Sequence, residues 1–317
     1  MHKLRTKESR IGSPKAPRDI VDSSIHKQPN FLLNNLRQLR YDVLTAGLKN
    51  APGTNECRYR NYVWTILLQV DLTDAVDLYI SLVNRGASPL DTKIRSDSFR
   101  TMATDRQFKE KVSEDSLLRL LNAHVWLSES SSSYVQGMNV LCAPFLYVCR
   151  TESQAFALFS ALITQHCPLY VTPDLVGVHT GVKLVNLVLE LTDPKLYRRL
   201  KQKLLTAEIY ALASVMTLSA CTPPLNELLA LWDLYFAYGC SLNIVAVVAQ
   251  VVDMRGQLMH SDQPATLLRK LPPLNFNGIK ERMLAILKSL PPDLFDLIRR
   301  HAFDPNVPAE LAVYRRS

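Results

Sequence analysis

A chain of 317 residues that is 47% hydrophobic and 21% charged has the balance of a soluble globular protein, with material for one large domain or two lobes. The longest apolar runs, 140–149 and 244–252, fall short of the ~20 residues that a bilayer-crossing helix needs, and the N-terminus holds no apolar signal core. A soluble, intracellular protein with no transmembrane segment is therefore expected. The net charge of +8 is uneven: residues 1–30 carry seven Lys/Arg against three Asp/Glu and read as a basic, disordered tail. Six cysteines (57, 142, 149, 167, 221, 240) show no C-x-x-C spacing, which speaks for reduced, buried thiols and against a zinc site.

In chain order, apolar periodicity predicts helices nearly throughout. The first covers 31–48, and two short ones cover 62–70 and 74–83. A polar link, 84–98, follows. Ser113, with Glu114 and Asp115 in the first turn, opens a helix to about 127. The run Ser128-Glu129-Ser130-Ser131-Ser132-Ser133 is a polar loop and a candidate control point, because phosphates there would add negative charge beside the segment that follows. Gln136 stands at the start of a helix spanning 138–149. Thr151-x-x-Gln154 is a capping-box signal for the next helix, to about 165. Longer periodic stretches cover 174–191, 208–220, 225–238 and 241–259, punctuated by Pro223-Pro224 and Gly239. Helices at 279–290 and 292–302 precede an irregular end, 304–317. No alternating strand pattern and no fixed-period repeat is present, so the fold class is all-α and not a solenoid.

Two short motifs carry the chemistry. Ile94-Arg95-Ser96-Asp97-Ser98-Phe99-Arg100-Thr101 centres on a planar, permanently charged guanidinium, and Tyr134-Val135-Gln136-Gly137-Met138-Asn139 on an amide that both donates and accepts. A slow GTPase lacks two things: positive charge on the phosphoryl group in transfer, and a group that orients the attacking water. Arg100 and Gln136 are the side-chain types that supply them. Arg100 falls in a loop before a helix and Gln136 at a loop–helix junction, with one helix between them to turn the chain back. Asp97 either caps a helix or steers the guanidinium, and Gly137 would let a partner's backbone approach.

Together the motifs Ile-x-x-Asp-x-x-Arg-Thr and Tyr-x-Gln-Gly-Met resemble the signature of TBC-domain GTPase-activating proteins, which act mainly on Rab-like GTPases. Arg60-Asn61-Tyr62-Val63-Trp64 and Leu231-Trp232-Asp233, with Gly239 behind it, resemble flanking motifs of the same family, in the same order. The likeness covers about 55–300 and implies a two-lobed helical TBC domain over 31–303, with a catalytic lobe to about 170 and a second helical lobe after it. It implies that Arg100 is an arginine finger, worth roughly 10³–10⁵ in rate, and that Gln136 replaces the GTPase's own glutamine. Asp97 and Thr101 would support the finger, Tyr134 and Gly137 would shape the glutamine's loop, and Trp64, Trp232 and Asp233 would be structural.

The chain departs from common family usage at Arg95, Val135 and Ala230, which leaves both catalytic side chains but alters what surrounds them. The runs 99–105 and 134–141 resemble one fungal branch, the budding-uninhibited-by-benzimidazole-type checkpoint GAPs that restrain mitotic exit or septation. That likeness implies a Ras-superfamily GTPase partner, a scaffold subunit and a place at the spindle pole body in the cytoplasm. GTP and Mg would come bound to the GTPase, leaving this chain with no cofactor of its own. A non-catalytic helical scaffold that binds a GTPase is the alternative. No zinc-finger spacing or aromatic-interleaved basic run supports a nucleic-acid partner, and no G-x-x-x-x-G-K-[ST], G-x-S-x-G or H-E-x-x-H motif supports a self-contained enzyme.

Overall fold

The computed structural model describes residues 29–51, 56–128 and 134–314. The basic tail, apart from its last two residues, and the serines 130–133 lie outside them. Among the described residues every regular element is helical. The first half runs α1 (Pro29–Thr45), α2 (Arg60–Leu67), α3 (Ala75–Val83), α4 (Asp91–Ser98), α5 (Arg106–Lys111), α6 (Glu114–Ser128), α7 (Met138–Val148) and α8 (Glu152–Ala161). The second runs α9 (Val176–Thr192), α10 (Pro194–Gln202), α11 (Ala207–Tyr210), α12 (Leu212–Met216), α13 (Leu225–Tyr238), α14 (Asn243–Asp253), α15 (Arg255–His260), α16 (Pro264–Leu268), α17 (Phe276–Ser289), α18 (Pro292–Arg300) and α19 (Val307–Val313).

Several elements differ from the sequence expectation, each for a local reason. The link 84–98 ends in a helix, α4, because Ile94 is fully buried and Asp91 is held by Asn122 Nδ2 at 2.8 Å. Only one arm of the capping box forms at α8. Thr151 Oγ1 accepts from Gln154 N (3.2 Å), while the Gln154 amide turns to Asn61 and Thr65 of α2. The stretch 208–220 breaks into α11, α12 and a turn in which Leu218 and Ser219 both take left-handed backbone (φ 49° and 65°). The end expected to be irregular holds α19, which buries Val307 and Leu311.

One connected apolar core runs from Val43 to Leu311. Helix α13 is central to it, packing on α1, α2 and α17, while α14 packs on α9 and α17. Where α2, α7 and α13 meet, Trp64, Phe145, Trp232 and Phe236 form an aromatic cluster with ring centroids 4.9–5.9 Å apart. Beside it Asp233 accepts from Arg60 Nε at 3.0 Å and from Trp64 Nε1 at 2.7 Å, all three buried. The two flanking motifs thus meet in the core across 169 residues of chain. Among the described residues no helix is long and apolar enough to cross a membrane.

Helix α10 starts on Asp193, whose carboxylate accepts from Leu196 N (2.9 Å), and ends in a Schellman turn. Leu205 N donates to Leu200 O (2.9 Å) and Leu204 N to Lys201 O (3.0 Å). The residue past the cap is Leu204 at φ 57°, where glycine is the common choice; an L residue there costs about 1–2 kcal/mol.

Candidate functional site

The Arg100 turn is clamped at both ends. Helix α4 packs on α6 and α7, and Thr101 N bonds back to Ser98 O at 3.0 Å. At the far end Asp105 caps α5 by accepting from Phe108 N (2.9 Å). Between them Met102 takes left-handed backbone at φ 47°, which helps turn the chain. The Gln136 turn is built differently. Gly137 at φ 99° starts α7, a conformation that disfavours a side chain.

A buried hydrogen-bond network joins the two turns. Arg100 Nη2 donates to Asp97 Oδ1 at 2.6 Å, and Tyr134 OH donates to Asp97 Oδ2 at 3.1 Å. Asn139 Nδ2 donates to Thr101 Oγ1 (2.7 Å) and to Asp97 O (3.2 Å), while Thr101 Oγ1 donates to Asp97 O (3.1 Å). Lys93 Nζ adds a bond to Tyr134 O at 3.1 Å. Burial, reinforced by the Asp97 charge, pushes the Tyr134 hydroxyl far above its ordinary pKa and keeps it a proton donor. Asp97 is therefore no helix cap. It lies in the last turn of α4 and links the guanidinium to the segment that carries Gln136.

All six residues read from the sequence come together. Asp97, Arg100, Thr101, Gln136 and Gly137 line one groove of about 390 Å³, and Tyr134 lies beneath it. Arg100 and Gln136 are exposed, the Arg100 side chain by 59%. Arg100 Nε and Nη1 have no bond among the described residues, so the guanidinium retains donors for an anion. Gly137 also packs against this chain's own Met216, whose Cε would lie 3.3 Å from a Cβ at that position, so its bareness serves an internal contact as well.

The opposite wall of the groove is apolar, with Ala213, Met216, Ala220, Leu225 and Leu228. Its turn is held from behind: Trp232 Nε1 donates to Leu218 O (2.9 Å), and Asn243, fully buried, accepts from Ser219 Oγ (2.7 Å) and donates to Ser214 O (2.9 Å). Sequence reasoning missed this wall and assigned no role to Lys93 or Asn139. Asn139 sits inside the second motif, and a polar residue one position into an apolar helix was the available signal.

The all-helical fold that carries this groove has counterparts among solved structures. The fold matches the Ypt/Rab-GAP domain of Gyp1p (TM-score 0.67, 16% identity, 86% of this chain and 98% of that one). It also matches the Chlamydomonas flagellar RabGAP TBC domain (TM-score 0.60, 18% identity, 90% and 93%). Residues 57–259 match the Rab-GTPase-TBC domain, and the chain belongs to that family of GTPase-activating proteins. It is 47% identical over 278 residues to the Schizosaccharomyces pombe "Cell division control protein 16", covering 88% of this chain and 92% of the relative. It is 38% identical over 300 residues to the Saccharomyces cerevisiae "Mitotic check point protein BUB2", covering 90% and 98%.

Proposed function

We propose that this protein accelerates GTP hydrolysis on a Ras-superfamily GTPase by placing Arg100 and Gln136 against the bound nucleotide. The observation that carries the reading is their shared groove: two exposed side chains of the required types come from separate motifs, Arg100 held by Asp97 and Gln136 carried on a segment that Tyr134 and Asn139 tie to the Arg100 turn. Arg100 offers charge to the phosphoryl group as it leaves the β-phosphate oxygen. Gln136 orients the attacking water, accepting from it and donating to phosphate. Asp97 holds one edge of the guanidinium, which limits the rotamer freedom lost when the finger engages. Nucleotide and Mg²⁺ arrive with the GTPase, and the protein brings no cofactor of its own.

Phe99, 66% exposed beside the finger, provides an apolar contact for the docked partner. The names of the two relatives, a cell division control protein and a mitotic check point protein, support a role in restraining mitotic exit or septation. In that role the chain works with a scaffold subunit, in the cytoplasm and at the spindle pole body.

Single-turnover GTP hydrolysis tests the reading, with a mitotic-exit-type GTPase, with and without a scaffold subunit. Acceleration is expected to fall by about 10²-fold or more in Arg100→Ala, with Arg100→Lys failing to restore it. Gln136→Ala is expected to lose a comparable factor. Binding without acceleration, or full activity in both variants, would replace this reading with that of a non-catalytic scaffold.

A further inference from the structure

The segment 194–209 forms a second surface, apart from the groove. It holds five Lys/Arg and one Asp/Glu. Lys195, Arg198, Lys201 and Lys203 are exposed and make no ion pair with a carboxylate among the described residues. The flanking acids are occupied elsewhere, Asp193 by Arg255 (2.6 Å) and Glu208 by Asn186. Two aliphatic side chains project from the same segment, Leu204 at 81% exposure and Ile209 at 65%. Leu204 occupies the left-handed position of the Schellman turn, where glycine would fit without strain. Leu196 and Leu200 already anchor α10 to the core, so the fold gains nothing from the Leu204 side chain. Cations in the last turn complement the helix dipole, but Lys195 and Arg198 lie too far back for that.

We infer that this surface docks on an anionic lipid bilayer. The four cations meet headgroup phosphates and carboxylates, and Leu204 and Ile209 enter the interface. Projecting aliphatic side chains fit the acyl boundary of a bilayer. A nucleic acid would instead be met by aromatic platforms, and the only aromatic side chain on α10, Tyr197, is half-buried under Lys201.

Vesicle flotation with the full chain tests this, comparing phosphatidylcholine vesicles with vesicles that include phosphatidylserine. Binding to the anionic vesicles is expected to be at least about tenfold tighter and to weaken with salt. Leu204→Gly is the decisive variant, because the two roles move in opposite directions. Its melting temperature is expected to stay level or rise, while vesicle binding falls several-fold, further with Ile209→Ser. Lys201→Glu with Lys203→Glu should abolish the preference for anionic vesicles. The comparison is repeated with the seven Lys/Arg of residues 1–30 changed to Gln, and the losses should persist. Three results overturn the inference: no preference for anionic vesicles, binding that follows the tail and ignores Leu204→Gly, or heparin binding as tight as vesicle binding and equally indifferent to Leu204.

Discussion

At the scale of single residues, the site depends on backbone that few side chains tolerate. Gly137 combines φ 99° with a wall formed by Met216. Gly137→Ala is expected to cost about 1–3 kcal/mol in chemical denaturation and to lower the GTPase-activating rate by displacing Gln136. A variant as stable and as active as the parent would contradict this. The six residues that meet at the groove could be picked out in the sequence because each sits at a fixed offset within a short motif, while the roles proposed for them rest on the resemblance. Asn139 was visible but carried no role, since its bonds to Thr101 Oγ1 and Asp97 O span a distance that spacing alone does not reveal. Gly137 was legible as a special position, yet the neighbour requiring it lies 79 residues on, in a helix with no motif.

Individual elements show where periodicity stops informing. Helices with wide apolar faces, such as α9, α13 and α17, were readable within two or three residues of their ends. Helix α4 was hidden because it is largely polar and buries only Ile94, Asp97 and Ser98. The α11–α12 region read as one helix because its apolar content is continuous, whereas the turn at Leu218 and Ser219 is imposed from outside by Trp232 and Asn243. Asn243 holds that turn with both ends of its amide, accepting also from Tyr235 OH and donating also to Val215 O. Asn243→Ala leaves those buried groups unpaired, and the expected loss is about 3 kcal/mol in urea or guanidinium unfolding. A loss below ~1 kcal/mol would remove Asn243 from its place as the wall's anchor.

Across the whole molecule, two buried imidazoles tie stability to pH. His301 donates from Nδ1 to Ile298 O (2.6 Å), which leaves Nε2 to accept from Tyr170 OH (2.7 Å); that pairing requires the neutral ring. His124 packs edge-on against Phe159. Burial lowers both to about 4. Above about pH 6.5 the rings are neutral in folded and unfolded chains alike, so they impose no pH dependence there. Between about 6.5 and 4 the unfolded chain takes up protons that the folded chain does not. Stability should then fall with decreasing pH, by up to ~1.4 kcal/mol per unit for each ring. Melting temperatures at pH 7.5 and 5.0 check this, and equal values would contradict it. The arrangement that brings Arg60 and Trp64 to Asp233 was legible as a set of motifs, but the single core that joins them was not, because contacts across most of the chain leave no periodic trace.

The measurement that bears most directly on the central claim is the affinity of this protein for its GTPase in three nucleotide states: GDP, a non-hydrolysable GTP analogue, and GDP with aluminium fluoride. If Arg100 and Gln136 act on the transferring phosphoryl group, the aluminium fluoride complex should be the tightest by at least about 10²-fold. Arg100→Ala and Gln136→Ala should each remove that excess while sparing most of the affinity for the GTP-analogue state. Equal affinity in all three states, unchanged by either substitution, would show a binding surface with no part in the chemistry.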